Sequence, residues 1–536
     1  MIDKSKRLVR PTVTLEESPL MKGRRTEFES VAEMITVRAQ ETPDLVWVYY
    51  YDQAVTYKQT NERANKVANY LKAKGVTKGD VVSVMVLNSP EVYYTMFGAQ
   101  KLGAIAGGVN YMLKGREIAH VLNDSKPKVA FVDSEFMKDF CDGYRMADHK
   151  PIVVEVVTGV DHGETIAETT LEEILKSYPA DEALVPQGLE DPYMLLYSSG
   201  TTGMPKGILL PNRAQLGMGK TIVKMNAFFP GDISIVVLPM FHTNPLCIFT
   251  YSQLYMGVSV CVRRRFAPDD FWPAVLQYGV TVCMMVPAMY SYVYNSVDPD
   301  TIDRSRLKLR YAFAGAAPFP VELVRNFKEK FGVTVIDGYG LTEATGMSLQ
   351  TFNMPENWSS IGHAVPDQEV EIMDDDNNFL PYGEKGEICI RGYANMIGYL
   401  NQPEATAETL RDGWLHTGDM GWMDELGYVY ISGRKKEMIN RGGENIYPRE
   451  IEIPLENHPK ILEVAVIGAP DPALGERVRA CIALREPGSM TAEEVKEYLK
   501  DKIARYKIPE LVEFMPELPK NQTGKILKKE LKELFK

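Results

Sequence analysis

Two short apolar runs, Tyr193–Leu196 and Ile208–Leu210, flank the stretch Tyr197-Ser198-Ser199-Gly200-Thr201-Thr202-Gly203-Met204-Pro205-Lys206-Gly207. Apolar runs of this length bounded by Gly and Pro read as buried strands, so the stretch between them reads as a turn joining two strands. Into that turn the chain places four aliphatic hydroxyls, three glycines and one lysine. Glycines leave backbone N–H groups open to an anion, the hydroxyls add donors, and Lys206 adds a compact positive charge. The stretch is a phosphate-gripping loop. It is not a Walker A loop, because Gly207 stands where that loop carries Ser or Thr for magnesium.

The surrounding sequence predicts an α/β architecture with largely parallel sheets. Thr60 to Lys74 reads as an amphipathic helix stopped by Gly75, and Val81 to Leu87 as a buried strand. Ser89 and Pro90 open a further helix with Tyr93 to Leu102 as its body, and Lys128 to Val132 is the next strand. The alternation resumes with strands at Ser234–Leu238, Val280–Val286, Leu309–Ala314 and Val333–Ile336, each delivering a polar or small-residue turn. Beyond about residue 350 short strands and Gly-rich turns predict a small antiparallel or barrel-like subdomain. After Gly433–Lys436 the chain restarts as a compact unit with a strand at Val464–Ile467 and a helix at Ala492–Ala504.

At 536 residues the chain exceeds a single core. No uninterrupted apolar run reaches membrane-spanning length; the longest candidate, Leu246 to Val262, is broken by Ser252, Gln253, Gly257 and Ser259 and reads as buried core. Lys4, Lys6, Arg7 and Arg10 are not followed by an apolar segment, so no signal peptide is expected. The six cysteines form no C-x-x-C pair, which fits a reducing cytoplasm and predicts no zinc site. A net charge of −12 excludes nucleic acid as a bulk partner. From Arg434 onward there are 20 Lys+Arg against 18 Asp+Glu, leaving 40 against 54 in the rest. A slightly basic end beside an acidic body suits a lid over an anionic ligand.

Further motifs follow in order: Gly315-Ala316-Ala317-Pro318, Asp337-Gly338-Tyr339-Gly340-Leu341-Thr342-Glu343, Trp414 to Asp419, Ile431 to Lys436, Gly442 to Pro448, and Pro519 to Lys525. Together with the first loop they resemble the superfamily of adenylate-forming enzymes: acyl- and aryl-CoA synthetases, peptide-synthetase adenylation domains and firefly-type luciferases. The likeness runs from about residue 30 to the C-terminus. It implies a large N-terminal domain (1–433) of two stacked, mostly parallel α/β sheet subdomains plus a small β-barrel-like subdomain. A small mobile α+β C-terminal domain (434–536) follows, with Lys436 as its hinge. It also implies a cytoplasmic monomer or homodimer that uses ATP, Mg2+ and coenzyme A to activate a small-molecule carboxylic acid.

Residue by residue, the resemblance assigns Ser198, Ser199, Gly200, Thr201, Thr202, Gly203 and Lys206 to the departing phosphates. Gly315, Ala316, Ala317 and Pro318 would pass one face of the adenine and Tyr339 would stack on the other, with Asp337 and Gly338 beside its amino group. Thr342 would donate to the α-phosphate and Glu343 would hold Mg2+, a hard cation that prefers oxygen. Asp419 would accept from both ribose hydroxyls, which would supply the partner a buried carboxylate needs, with Arg434 a second ribose contact. Lys525 would bridge the substrate carboxylate and the α-phosphate. Gly442 and Gly443 would then swing in to line a thiol tunnel, gated by His242.

The acyl pocket is expected near His242, Thr243, Asn244, Val286, Pro287, Ala314, Gly340 and the segment Ala344 to Met347. None of these is charged, and no Asp stands where an amino-acid substrate would be gripped. An uncharged medium-chain, alicyclic or aromatic acid is therefore expected. Two other readings stay open: an adenylating enzyme that passes its acyl group to a carrier protein or oxidises it, and a catalytically retired nucleotide binder. The intact Lys206, Glu343, Asp419 and Lys525 argue against the second. Arg263-Arg264-Arg265 reads as an exposed strand edge in preference to a coenzyme A phosphate site.

Overall fold

A computed structural model describes residues 4–157, 165–198, 204–298, 301–315, 321–357, 359–442, 444–472, 474–520 and 526–535. The first of its sheets runs His363–Ala364, Leu349–Gln350, Thr334–Tyr339, Tyr311–Ala314, Val282–Met285, Ile233–Val236, Ser259–Val262, Val46–Tyr50, Gln53–Thr56. Its six inner strands, Thr334–Tyr339 through Val46–Tyr50, are parallel, and antiparallel pairs close both edges. The second sheet runs Gly398–Tyr399, Lys206–Pro211, Pro192–Ser198, Ile105–Gly108, Val81–Met85, Val129–Asp133, Ile152–Val156, Thr169–Thr170. It is parallel from Pro192–Ser198 onward. Strands this apolar on both faces have to be covered by helices.

Two of these helices pack against each other. Tyr57–Ala73 starts three residues earlier than its periodicity indicates, because Thr56 and Gln59 form a reciprocal capping box. Pro90–Lys101 packs on it so closely that a Cβ at Gly98 would lie 2.6 Å from Val67 Cγ1. One continuous core joins Trp47 and Val48 of the first sheet to Val82, Val84, Phe131 and Leu196 of the second. The long apolar segment is buried too, but as a π-helix over Asn244–Tyr251, a short α-helix over Ser252–Met256 and then the strand Ser259–Val262.

A third sheet holds Gln368–Met373, Gly386–Gly392, Trp414–Met423, Leu410–Arg411 and Val429–Arg434, all antiparallel. Its strand order does not return on itself among the described residues, so the expected barrel-like subdomain is an open sheet. A single turn, Lys435–Glu437, then leads to the last unit. There a sheet built on Ile461–Asp471 and Gly475–Leu484 packs against helices Pro448–Glu456, Ala492–Leu499 and Lys528–Leu534 around its own core. The helix expected over Ala492–Ala504 ends at Leu499. Among the described residues no helix is long and apolar enough to cross a membrane. All six cysteines are free and buried.

Candidate active site

The predicted turn is the connection of an antiparallel hairpin: Pro192–Ser198 pairs with Lys206–Pro211, with Ser198 opposite Lys206. Helix Gly115–Ser125 braces it from outside. His120 Nε2 lies 2.9 Å from the Pro205 carbonyl, and the Tyr197 hydroxyl donates to Asp124 at 2.8 Å. Residues Ser199, Gly200, Thr201, Thr202 and Gly203, and likewise Ala316, Ala317, Pro318, Gly443 and Lys525, lie outside the described residues.

Across the crevice stands the end of strand Thr334–Tyr339. The Tyr339 hydroxyl donates to Asp419 Oδ2 at 2.6 Å. The other oxygen, Asp419 Oδ1, is 2.9 Å from Arg434 Nε, because Asp419 and Arg434 are register partners on adjacent strands. Asp419 is only 2% exposed. Its carboxylate is therefore already partnered from within the protein, by Tyr339 and Arg434. Burial and the neighbouring carboxylate both hold the Tyr339 hydroxyl in its protonated form. Asp337, two residues before Tyr339, has no such cation. Burial pushes its carboxyl up to about 7, offset only by the Gly338 N–H at 2.9 Å.

A second cluster links the two large sheets. Thr243 donates to the Thr342 hydroxyl at 2.9 Å. Glu343 accepts from the Tyr399 hydroxyl at 2.9 Å, and the Lys206 ammonium sits 5.1 Å from the centroid of the Tyr399 ring. Tyr399 is held there by pairing with Ile208 on the strand that follows the loop. It thus joins the loop's lysine to the Glu343 carboxylate. Nothing in the sequence beyond an isolated tyrosine after Gly398 marks it.

Between these clusters opens a cleft with about 400 Å3 of empty space. Of the residues expected near the acyl group, Asn244, Ala314, Gly340 and Met347 line it, together with Gly315 and Gly338. Gly340 is required there, since a Cβ would fall 2.2 Å from the Gly346 carbonyl oxygen. Gly346, inside the expected segment Ala344 to Met347, lines it too, and the remaining wall was not legible beforehand: Ile248, Phe249, Met284, Phe313 and Gln350. A narrow inner extension runs on between Ile222, Met225, Ala227 and Phe228. Ala344 and Val286 are packed into the core, and Pro287 starts the helix Pro287–Asn295; none of the three lines the cleft. His242 packs against Phe241, with ring centroids 4.4 Å apart, and its Nε2 has no partner among the described residues. Burial lowers its pKa to about 4, so the ring is neutral at neutral pH.

Lys436 lies in the turn between the third sheet and the last unit, and Gly442 caps a hairpin at φ +60° with its N–H on the Leu474 carbonyl at 2.7 Å. The arginine triplet is not an exposed edge. It follows an interior strand: Arg263 is 5% exposed and chelates Asp270, while Arg264 and Arg265 both reach Glu135. Elsewhere Glu387, Cys389 and His416 bring possible ligand atoms within 4.8 Å of one another. Arg411 approaches His416 Nδ1 at 2.6 Å and Lys435 stands 4.0 Å from Glu387, so two cations already face these donors.

The family model described as AMP-binding enzyme matches residues 35–400, and that described as AMP-binding enzyme C-terminal domain matches 450–525. The long-chain-fatty-acid–CoA ligase FadD13 of Mycobacterium tuberculosis is 34% identical over 90% of this chain and 94% of its own. The indoleacetate–CoA ligase of Aromatoleum aromaticum is 33% identical over 94% of this chain and 98% of its own. Among solved structures, ATP-bound MatB from Rhodopseudomonas palustris superposes with a TM-score of 0.85 at 27% identity, over 94% of this chain and 99% of that one.

Proposed function

The chain belongs to the AMP-binding enzyme family, and on that premise we propose that it joins an uncharged medium-chain, alicyclic or aromatic acid to coenzyme A through an acyl-adenylate. AMP-forming acid–CoA ligation agrees with the CoA ligases it resembles over nearly their whole length. The observation that carries the substrate class is the apolar wall of Ile248, Phe249, Met284 and Phe313 facing the cleft beside Gly338. An ionised group would be desolvated there without a partner.

In the first half-reaction a carboxylate oxygen attacks the α-phosphorus of ATP, the new C–O–P link forms and pyrophosphate leaves. Two anions must meet, so the residues around them have to offset charge. Lys206 and the loop hydroxyls take the β- and γ-phosphates, Thr342 donates to the α-phosphate, and Lys525 bridges both reactants. Tyr339 and Gly315 enclose the adenine, and Asp419 with Arg434 takes the ribose. Glu343 offers magnesium a hard oxygen donor already oriented by Tyr399, and the ion when bound offsets triphosphate charge. In the second half-reaction the thiol attacks the acyl carbon and AMP leaves.

The two domains, 1–433 and 434–536, alternate between these steps by turning about Lys436. The reading is supported by the single turn Lys435–Glu437, which separates Arg434, in the sheet with Asp419, from Ile439, buried in the C-terminal core. The rotation carries Lys525 away and brings Gly442 and Gly443 to the thiol channel. Pyrophosphate release and thioester formation measured over a panel of acids test the whole. Turnover confined to uncharged acids is expected, and a preference for dicarboxylates or sulfonates would overturn the substrate class. Acyl-AMP that accumulates and yields no thioester when coenzyme A is added would instead favour transfer to a carrier protein.

A further inference from the structure

The cleft and its inner extension are lined by apolar side chains and glycines with two exceptions, Asn244 and Gln350. Gln350 lines both spaces and, among the described residues, is the one polar side chain in the inner extension. It is 1% exposed. Its Nε2 finds only the Met347 thioether sulfur, at 3.3 Å, a weak acceptor, and its Oε1 has no partner among the described residues. Other buried glutamines are better served at their amide nitrogen: Gln253 donates to Ser234 and Gln368 to the Met347 carbonyl. A buried amide left this poorly paired costs stability unless something else completes it.

The backbone that carries this side chain is held in place. Gln350 pairs with Gly338 on one side and His363 on the other, and Arg10 donates to its backbone carbonyl oxygen at 2.5 Å. An underpaired amide borne on a fixed strand in an apolar wall is the arrangement by which a pocket reads one polar group on an otherwise apolar ligand. Resting on the reading of this cleft as the acyl pocket, we propose that Gln350 determines specificity by pairing with a hydroxyl carried on the acyl group. The preferred acids are then phenolic or hydroxyacyl compounds, and not plain hydrocarbon acids of the same shape. A hydroxyl both donates and accepts, so it completes the amide whichever way the amide is turned.

The test uses matched pairs: a hydroxyphenyl acid against its phenyl analogue, and a hydroxy fatty acid against the plain one. Thioester kcat/KM and direct acid binding by calorimetry are both read on the full chain. Wild type should favour the hydroxylated member by about 10- to 100-fold. Gln350→Met, which keeps the length beside Met347, should bring that ratio to about one or below. Gln350→Leu serves as a second variant should the first fold poorly. Equal wild-type kcat/KM and affinity within each pair would overturn the proposal while leaving the ligase reading intact. Binding that discriminates within pairs without any thioester formed would uphold the role of Gln350 and sink the ligase reading instead.

Discussion

Removing one oxygen atom, by Tyr339→Phe, tests how the crevice holds its buried carboxylate. The ring stays, but Asp419 Oδ2 loses the donor now 2.6 Å away and keeps Arg434 on the other oxygen. A hydrogen bond to a charged group contributes about 1.5–3 kcal/mol net. Asp419→Asn removes the charge that both partners face. Arg434's side chain is about a third exposed, so solvent screens its share, and a loss of about 2–3 kcal/mol is expected. An unfolding entropy of about 2.1 cal/mol/K per residue over roughly 430 residues is about 0.9 kcal/mol/K, so each substitution lowers Tm by about 2–3 °C. The two residues share one interaction, so the double variant should lose about 1–2 °C less than the sum. Scanning calorimetry of the four proteins closes the cycle. Additive losses, to within about half a degree, would show that the hydroxyl and the carboxylate do not act together and refute the reasoning.

Lys525→Ala should slow adenylation by about 100-fold or more while changing thioester formation from preformed acyl-AMP by less than about tenfold; equal losses in both steps would remove it from the first transition state. Glu343→Ala should raise the magnesium needed for half-maximal adenylation by at least about tenfold, and an unchanged metal titration would count against its role. Burial raises the Asp337 carboxyl from its ordinary range to about 7, so the native state keeps a proton that the unfolded chain has already released. Stability contributed there falls as pH rises from about 4 to 7. Asp337→Asn should therefore match wild type near pH 4 and melt roughly 2–4 °C higher at pH 8, and a difference of the opposite sign would refute the assignment.

Much of the scaffold can be read before any coordinates. The strands Val81–Met85 and Tyr311–Ala314 lie inside the apolar runs that announce them. Their ends are less legible, because Val86 and Leu87 are as apolar as their neighbours but pass beyond the ladder. Thr334–Tyr339 runs past its apolar part because Gly338 and Tyr339 pair with Gln350 and Leu349, a ladder no local pattern reveals. The open third sheet was read as barrel-like for the same reason: closure depends on which strands meet.

The phosphate loop could be recognised from the chain alone because its chemistry is concentrated in eleven consecutive residues. Density of hydroxyls, glycines and one lysine is a property of the local chain, and so is the capping box that starts the first long helix. Which groups face one another is not local. Phe249, Phe313 and Gln350 have the residue types of any core, and only the packing of a helix, a parallel strand and an antiparallel strand brings them around one cleft. Tyr399 reaches Glu343 and Lys206 across chain separations of 56 and 193 residues. Asp419 meets Arg434 through strand pairing and Tyr339 through a side-chain contact between two sheets, both opposed by the entropy of the unfolded chain until the sheets have formed. The pattern along the chain announced an α/β frame and a candidate phosphate loop. Tertiary packing decided what the carboxylate holds, how apolar the pocket is, and where its one inner polar side chain stands.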